Sequence, residues 1–74
     1  MKEKELLKIV NEILEDDGLD KLKEINDSMH LRDDIGFDSI HLATLTVKIE
    51  DKFGIDIFKN GIINTVKEIY DKLN

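Results

Sequence analysis

A carboxylate, a hydroxyl and an imidazole lie within four positions of one another: Asp38, Ser39 and His41, in the run Gly36-Phe37-Asp38-Ser39-Ile40-His41. Three kinds of chemistry fit such a run. Ser39 could cap a helix, act as a nucleophile beside a base, or be the hydroxyl to which another group is attached. As a cap, Asp38 or Ser39 would accept hydrogen bonds from the first free amides of a helix, and Gly36 would permit the tight turn before it. As a nucleophile, Ser39 would need a base aimed at it. His41 is two residues on, where a helix points its side chain in another direction. The run also lacks the G-x-S-x-G pattern of a nucleophile elbow.

Other chemistry is excluded more simply. His30 and His41 are the only histidines and there is no cysteine, too few ligands for a histidine or thiolate metal site, so both imidazoles read as solvated surface groups. Asp56 to Lys67 has Asp56, Asn60 and Gly61 in register with a calcium loop. It places Phe58 at position three and Lys67 at position twelve, where the bidentate glutamate belongs. Asp33 and Asp34 are adjacent and read as a solvated acidic turn. No Gly-rich phosphate loop occurs.

The elements that must position Ser39 are legible from hydrophobic period. Leu6, Leu7, Val10, Ile13 and Leu14 predict a first helix that stops near Gly18. A second helix is predicted over Ser39–Phe53, with Leu42, Leu45, Ile49 and Phe53 in one stripe and Gly54 ending it. Thr65 and Glu68 form a T-x-x-E capping box, after which Val66, Ile69, Tyr70 and Leu73 share a face. Gly18 to Phe37 has no long period and reads as a crossing loop. Leu19, Leu22 and Ile25 are spaced for a short turn or helix within it, and Met29, Leu31, Ile35 and Phe37 are expected to dip into the core. Ile55-Asp56-Ile57-Phe58 reads as an extended connector, and Ile62 and Ile63 fit a one-turn helix around Asn60 to Asn64. The fold class is therefore all-α, a small bundle of three to four helices with a long loop between the first two.

Seventy-four residues are expected to form one domain, residues 1–74, with a small core. No apolar run reaches a membrane span, and Met1–Val10 is too charged for a signal peptide. A cytoplasmic protein is expected. Net charge is −6. The acids concentrate before Ile57, a surface that repels nucleic acid and suits basic protein partners. Ile40 precedes the buried stripe by two residues, and Val47 also falls outside it. These two mark a small apolar contact patch next to Ser39.

The run Asp33-Asp34-Ile35-Gly36-Phe37-Asp38-Ser39-Ile40 resembles the D-x-G-x-D-S-[LI] signature of acyl carrier proteins and related carrier domains. The resemblance extends over nearly the whole chain: opening helix, long loop, serine at the start of helix two, the F-G-I-D-I ending and the closing T-V-K-E-I-Y helix, in that order. It implies that Ser39 is a substrate, not a catalyst. A separate phosphopantetheinyl transferase would move 4′-phosphopantetheine from coenzyme A onto its hydroxyl, and the arm would present acyl or aminoacyl groups as thioesters to acyl-loading and acyl-processing enzymes. The arm's phosphate would lie near a helix N-terminus, with Asp38 and Gly36 holding the turn. Helix two would be the recognition surface, with Ile40, Val47, Glu50 and Asp51 as partner contacts. A monomer that is not itself an enzyme is implied.

The chain also departs from that pattern. His41 and Thr44 stand where such carriers usually have acids, which implies partners less dependent on charge. Phe58 replaces a usual proline, and residues 58–64 form a shorter segment. The pathway implied is fatty-acid synthesis or a specialised polyketide or aminoacyl route. The alternative is a small helical protein-interaction module in which Ser39 is only a helix cap.

Overall fold

The computed structural model describes residues 2–59 and 61–73. Three helices follow in chain order: α1 (Lys2–Asp16), α2 (Ser39–Phe53) and α3 (Val66–Leu73). Among the described residues there is no strand, only one isolated antiparallel bridge between His30 and Thr65. The architecture is the all-α bundle that the hydrophobic spacing predicts, in its three-helix form.

Each helix buries one stripe. α1 contributes Leu6, Ile9, Val10, Ile13 and Leu14, spaced at threes and fours on one side. Ile9 thus joins the core, while Leu7 stays half-buried at its edge. α2 contributes Leu42, Leu45 and Ile49, with Phe53 packed half-buried against the cluster. α3 contributes Val66, Ile69 and Leu73. The core is entirely apolar among the described residues. α2 ends because Gly54 takes a left-handed conformation, φ 72°, and returns its N–H to the Glu50 carbonyl at 2.7 Å.

The loop over residues 17–38 is packed rather than loose. Leu31, Ile35 and Phe37 are buried and Met29 is half-buried. The pin at its start comes from α1. The Asn11 side chain donates to the Leu22 carbonyl at 3.0 Å and accepts the Leu22 N–H at 2.8 Å. That pairing occupies both backbone groups of Leu22, and of the short turn or helix expected at Leu19–Ile25 only a bend at Lys23 is present. Leu19 is 43% exposed and Leu22 and Ile25 are half-buried. At its far end the loop clasps α3. Leu31 N–H donates to the Asn64 carbonyl (2.8 Å), Val66 N–H to the Met29 carbonyl (3.0 Å) and Lys67 N–H to the Asp27 carbonyl (3.1 Å). The loop therefore satisfies two of the amides that the N-terminus of α3 leaves free.

The connector from α2 to α3, expected to be extended over Ile55–Phe58, has no regular structure at Ile55 and Asp56. It then turns, with Phe58 N–H on the Asp56 carboxylate (3.0 Å) and Lys59 N–H on the Asp56 carbonyl (3.3 Å). Ile57 is fully buried there. The one-turn helix expected around residues 60–64 is not formed over 61–64, where Gly61 has φ 138°; Asn60 lies outside the described residues. α3 starts at the expected capping box, with Thr65 N–H on the Glu68 carboxylate (3.1 Å) and Glu68 N–H on the Thr65 hydroxyl (3.3 Å). Lys2 Nζ donates to the Leu73 carbonyl at 2.8 Å, joining the two ends of the bundle. The radius of gyration, 11.1 Å, is close to the roughly 11 Å of a closely packed chain of this length. The long loop thus adds little to the overall dimensions.

Candidate functional site at the start of helix α2

Asp38 is the N-cap of α2, with φ −98° and ψ −173°. Its Oδ1 accepts the amides of Ile40 and His41, both at 2.9 Å. His41 reciprocates through the position a glutamate usually holds: its Nδ1 accepts the Asp38 N–H at 3.0 Å. The other ring nitrogen, Nε2, pairs with Asp17 Oδ2 at 2.9 Å. Phe37 packs alongside, with ring centroids 5.3 Å apart. His41 is therefore not the solvated surface histidine that its spacing suggests. Its side chain is only 14% exposed and joins the segment after α1 to the cap of α2. The reason is tertiary: Asp17 lies far away in sequence and reaches the ring only because α1 and α2 pack together.

The Asp38 carboxyl is held below its ordinary value. The His41 amide contributes most and desolvation opposes it, with the His41 imidazole, the Ile40 amide and Arg32 adding to the lowering. Opposite signs thus meet at the cap, a carboxylate against amide dipoles and one guanidinium.

Ser39 follows the cap as the first helical residue and is exposed. Among the described residues its hydroxyl bonds to nothing. The cap that could have explained this serine belongs to Asp38. Both nitrogens of His41 are engaged elsewhere, so its ring is not aimed at Ser39 as a base. Gly36 has φ 88°, a turn conformation that strains any side chain. Asp34 is exposed but not merely solvated: its carboxylate accepts the His30 N–H at 2.7 Å and closes the turn before Gly36. His30 is exposed.

Ile40 is 76% exposed and Val47 68%. They lie two turns apart on the outer side of α2, off the core stripe as their spacing predicts. Glu50 and Asp51 are exposed near the far end of α2, about 16 Å along the axis from Ile40. They are therefore remote from Ser39.

Two grooves flank Ser39. One, of about 290 Å³, is lined by Arg32, Ser39, Leu42, Ala43, Phe58 and Ile62. Ile62, 78% exposed, forms its outer rim. The other, of about 270 Å³, is lined by Asp16, Asp17, Asp38, Ile40, His41 and Thr44. Positions 41 and 44 of α2 carry no acid, and Asp16 at the end of α1 and Asp17 just after it line this groove beside them, which sequence reasoning missed. A signal was present. Asp16 closes α1 with no basic residue in its last turn, an unfavourable placement against the helix dipole. Arg32 had no comparable signal.

The arrangement offers an exposed, unbonded hydroxyl on a rigid helix start with open space on both sides. It suits covalent attachment of a flexible group. Among the described residues no group of three or more His, Asp or Glu is placed to hold a metal ion, and no helix is long and apolar enough to cross a membrane. Compared with families of known proteins, residues 4–73 match the family described as phosphopantetheine attachment site. No curated protein matches the chain, and no solved structure does.

Proposed function

The chain belongs to the phosphopantetheine attachment site family and is a carrier protein, and on that premise we propose that Ser39 is the residue to which the arm is joined. The supporting observation is the division of labour at the start of α2. Asp38 performs the cap, leaving the exposed Ser39 hydroxyl free to react. In the transfer, Ser39 Oγ forms a bond to the phosphorus of coenzyme A that carries the pantetheine arm. The bond from that phosphorus to the bridging oxygen of the diphosphate breaks, adenosine 3′,5′-bisphosphate leaves with that oxygen, and the hydroxyl proton passes to a base on the transferase. When bound, the arm supplies a terminal thiol for thioester chemistry.

The chain's own residues hold the attachment point still. Asp38 and His41 fix the first turn of α2, Gly36 admits the turn, and Ile40 and Val47 offer partner enzymes apolar contact. The protein acts as one domain, in the cytoplasm, as a monomer that performs no chemistry itself. Its cargo is an acyl or aminoacyl group of a fatty-acid or specialised pathway. A helical interaction module with Ser39 as mere cap is disfavoured by the Asp38 cap.

Incubation with coenzyme A and a broad-specificity phosphopantetheinyl transferase tests the assignment. Intact mass is expected to rise by one phosphopantetheine in the natural chain and to stay unchanged in Ser39→Ala. No addition, or addition that survives the substitution, would overturn it.

A further inference from the structure

Attachment of the arm to Ser39 places a phosphodiester anion in an awkward position, and the role of Arg32 rests on that attachment. The amides of Ile40 and His41, which would ordinarily receive an anion at a helix start, are already taken by Asp38. Asp38 also puts a carboxylate directly before the serine, and the preceding turn carries Asp33 and Asp34. A new negative charge would be added to three existing ones.

One charged residue lines the groove that holds Ser39, and it is a cation, Arg32. Its guanidinium forms no hydrogen bond or ion pair among the described residues, despite its place directly before the acidic pair Asp33-Asp34. It is close enough for its field to reach the Asp38 carboxyl. Arg32 therefore stands on the Ser39 side of the turn, uncommitted, beside a wall of Leu42, Ala43 and Phe58. A guanidinium is always charged and presents paired donors matched to two phosphate oxygens.

We infer that Arg32 is the counter-cation of the phosphodiester formed on Ser39, a positioning residue that draws the base of the arm toward the groove of Leu42, Ala43 and Phe58. The opposite groove, with Asp16 and Asp17, repels the same anion. Together they give the arm a preferred side: the Arg32 side for the resting arm, the acidic side left open for a partner.

The test compares the chain before and after loading, with intact mass confirming the product. In the natural chain, conversion is expected to shift the Arg32 Nε–H resonance and slow its solvent exchange by about two- to fivefold, the range that an exposed ion pair supports. Raising salt should abolish the effect. The thermal unfolding midpoint of Arg32→Gln should fall on loading by more than that of the natural chain or of Lys23→Gln, an equal charge change elsewhere. Arg32→Lys should recover part of the difference. A loaded chain whose Arg32 resonance and exchange match the unloaded one overturns the inference and leaves attachment standing. A chain that gains no mass overturns both.

Discussion

Replacing His41 by leucine tests whether the start of α2 is held by the contacts described. Leucine preserves an apolar body against Phe37 and removes both ring bonds. Loss of the Nδ1 acceptor leaves the Asp38 N–H without its partner at 3.0 Å, a cost of about 1 kcal/mol for one hydrogen bond at a helix cap. Loss of the Nε2 bond to Asp17, whose side chain is 59% exposed, costs about 0–1 kcal/mol, as exposed pairs do. The sum is about 1–2 kcal/mol, out of roughly 4–11 kcal/mol for a domain of this length. With a urea slope of roughly 1 kcal/mol/M for so small a chain, the unfolding midpoint should fall by about 1–2 M. His41→Gln can still accept from the cap amide, as glutamine does in a capping box, and should lose less. Amide hydrogen exchange should speed up in the first turn of α2 and change little in α3. A leucine variant as stable as the natural chain, with unchanged exchange at Ile40 and Leu42, would refute the reasoning. His41 would then be the surface histidine its sequence position suggests.

The acid range provides a second check. Because Asp38 is held below the ordinary carboxylate value in the folded chain, its contribution is complete above the unfolded value, about pH 4, and is lost as pH falls through the depressed one. Acid unfolding of Asp38→Asn, followed by circular dichroism, should therefore begin at lower pH relative to its own neutral-pH stability than in the natural chain. Leu45 is fully buried, and Leu45→Ala should cost about 2–5 kcal/mol by denaturant unfolding. Ile40→Asp should leave the helical spectrum largely intact and slow modification by the transferase. If it unfolds the chain, Ile40 is a core residue after all.

Much of the fold was legible because its signals are local. The boundaries of α2 follow from an N-terminal cap, a stripe of Leu42, Leu45 and Ile49 and a left-handed Gly54, all within one stretch of chain. The Thr65–Glu68 box likewise announces α3. The Leu19–Ile25 helix misled for the same reason: its spacing is local, but Asn11 on another element claims the backbone of Leu22. Side-chain period cannot show that a distant amide has taken a helix's hydrogen bonds. The choice between Asp38 and Ser39 as cap was also beyond sequence, since both residue types accept from free amides. Backbone angles at Asp38 decided it.

What the sequence determined by itself is the three main helices, most of the core and the serine in its D-S motif, because period, capping and turn chemistry act over a few residues. What only the tertiary structure decided is the setting of that serine. The packing of α1 on α2 brings Asp17 to His41. The folded loop sets Arg32 beside Ser39, and the end of α1 supplies Asp16 and Asp17 to the groove beside Ile40. Asp17 reaches His41 across 24 residues, and that meeting depends on how the bundle closes rather than on any local pattern; Arg32, close to Ser39 in sequence, is placed by the path of the folded loop.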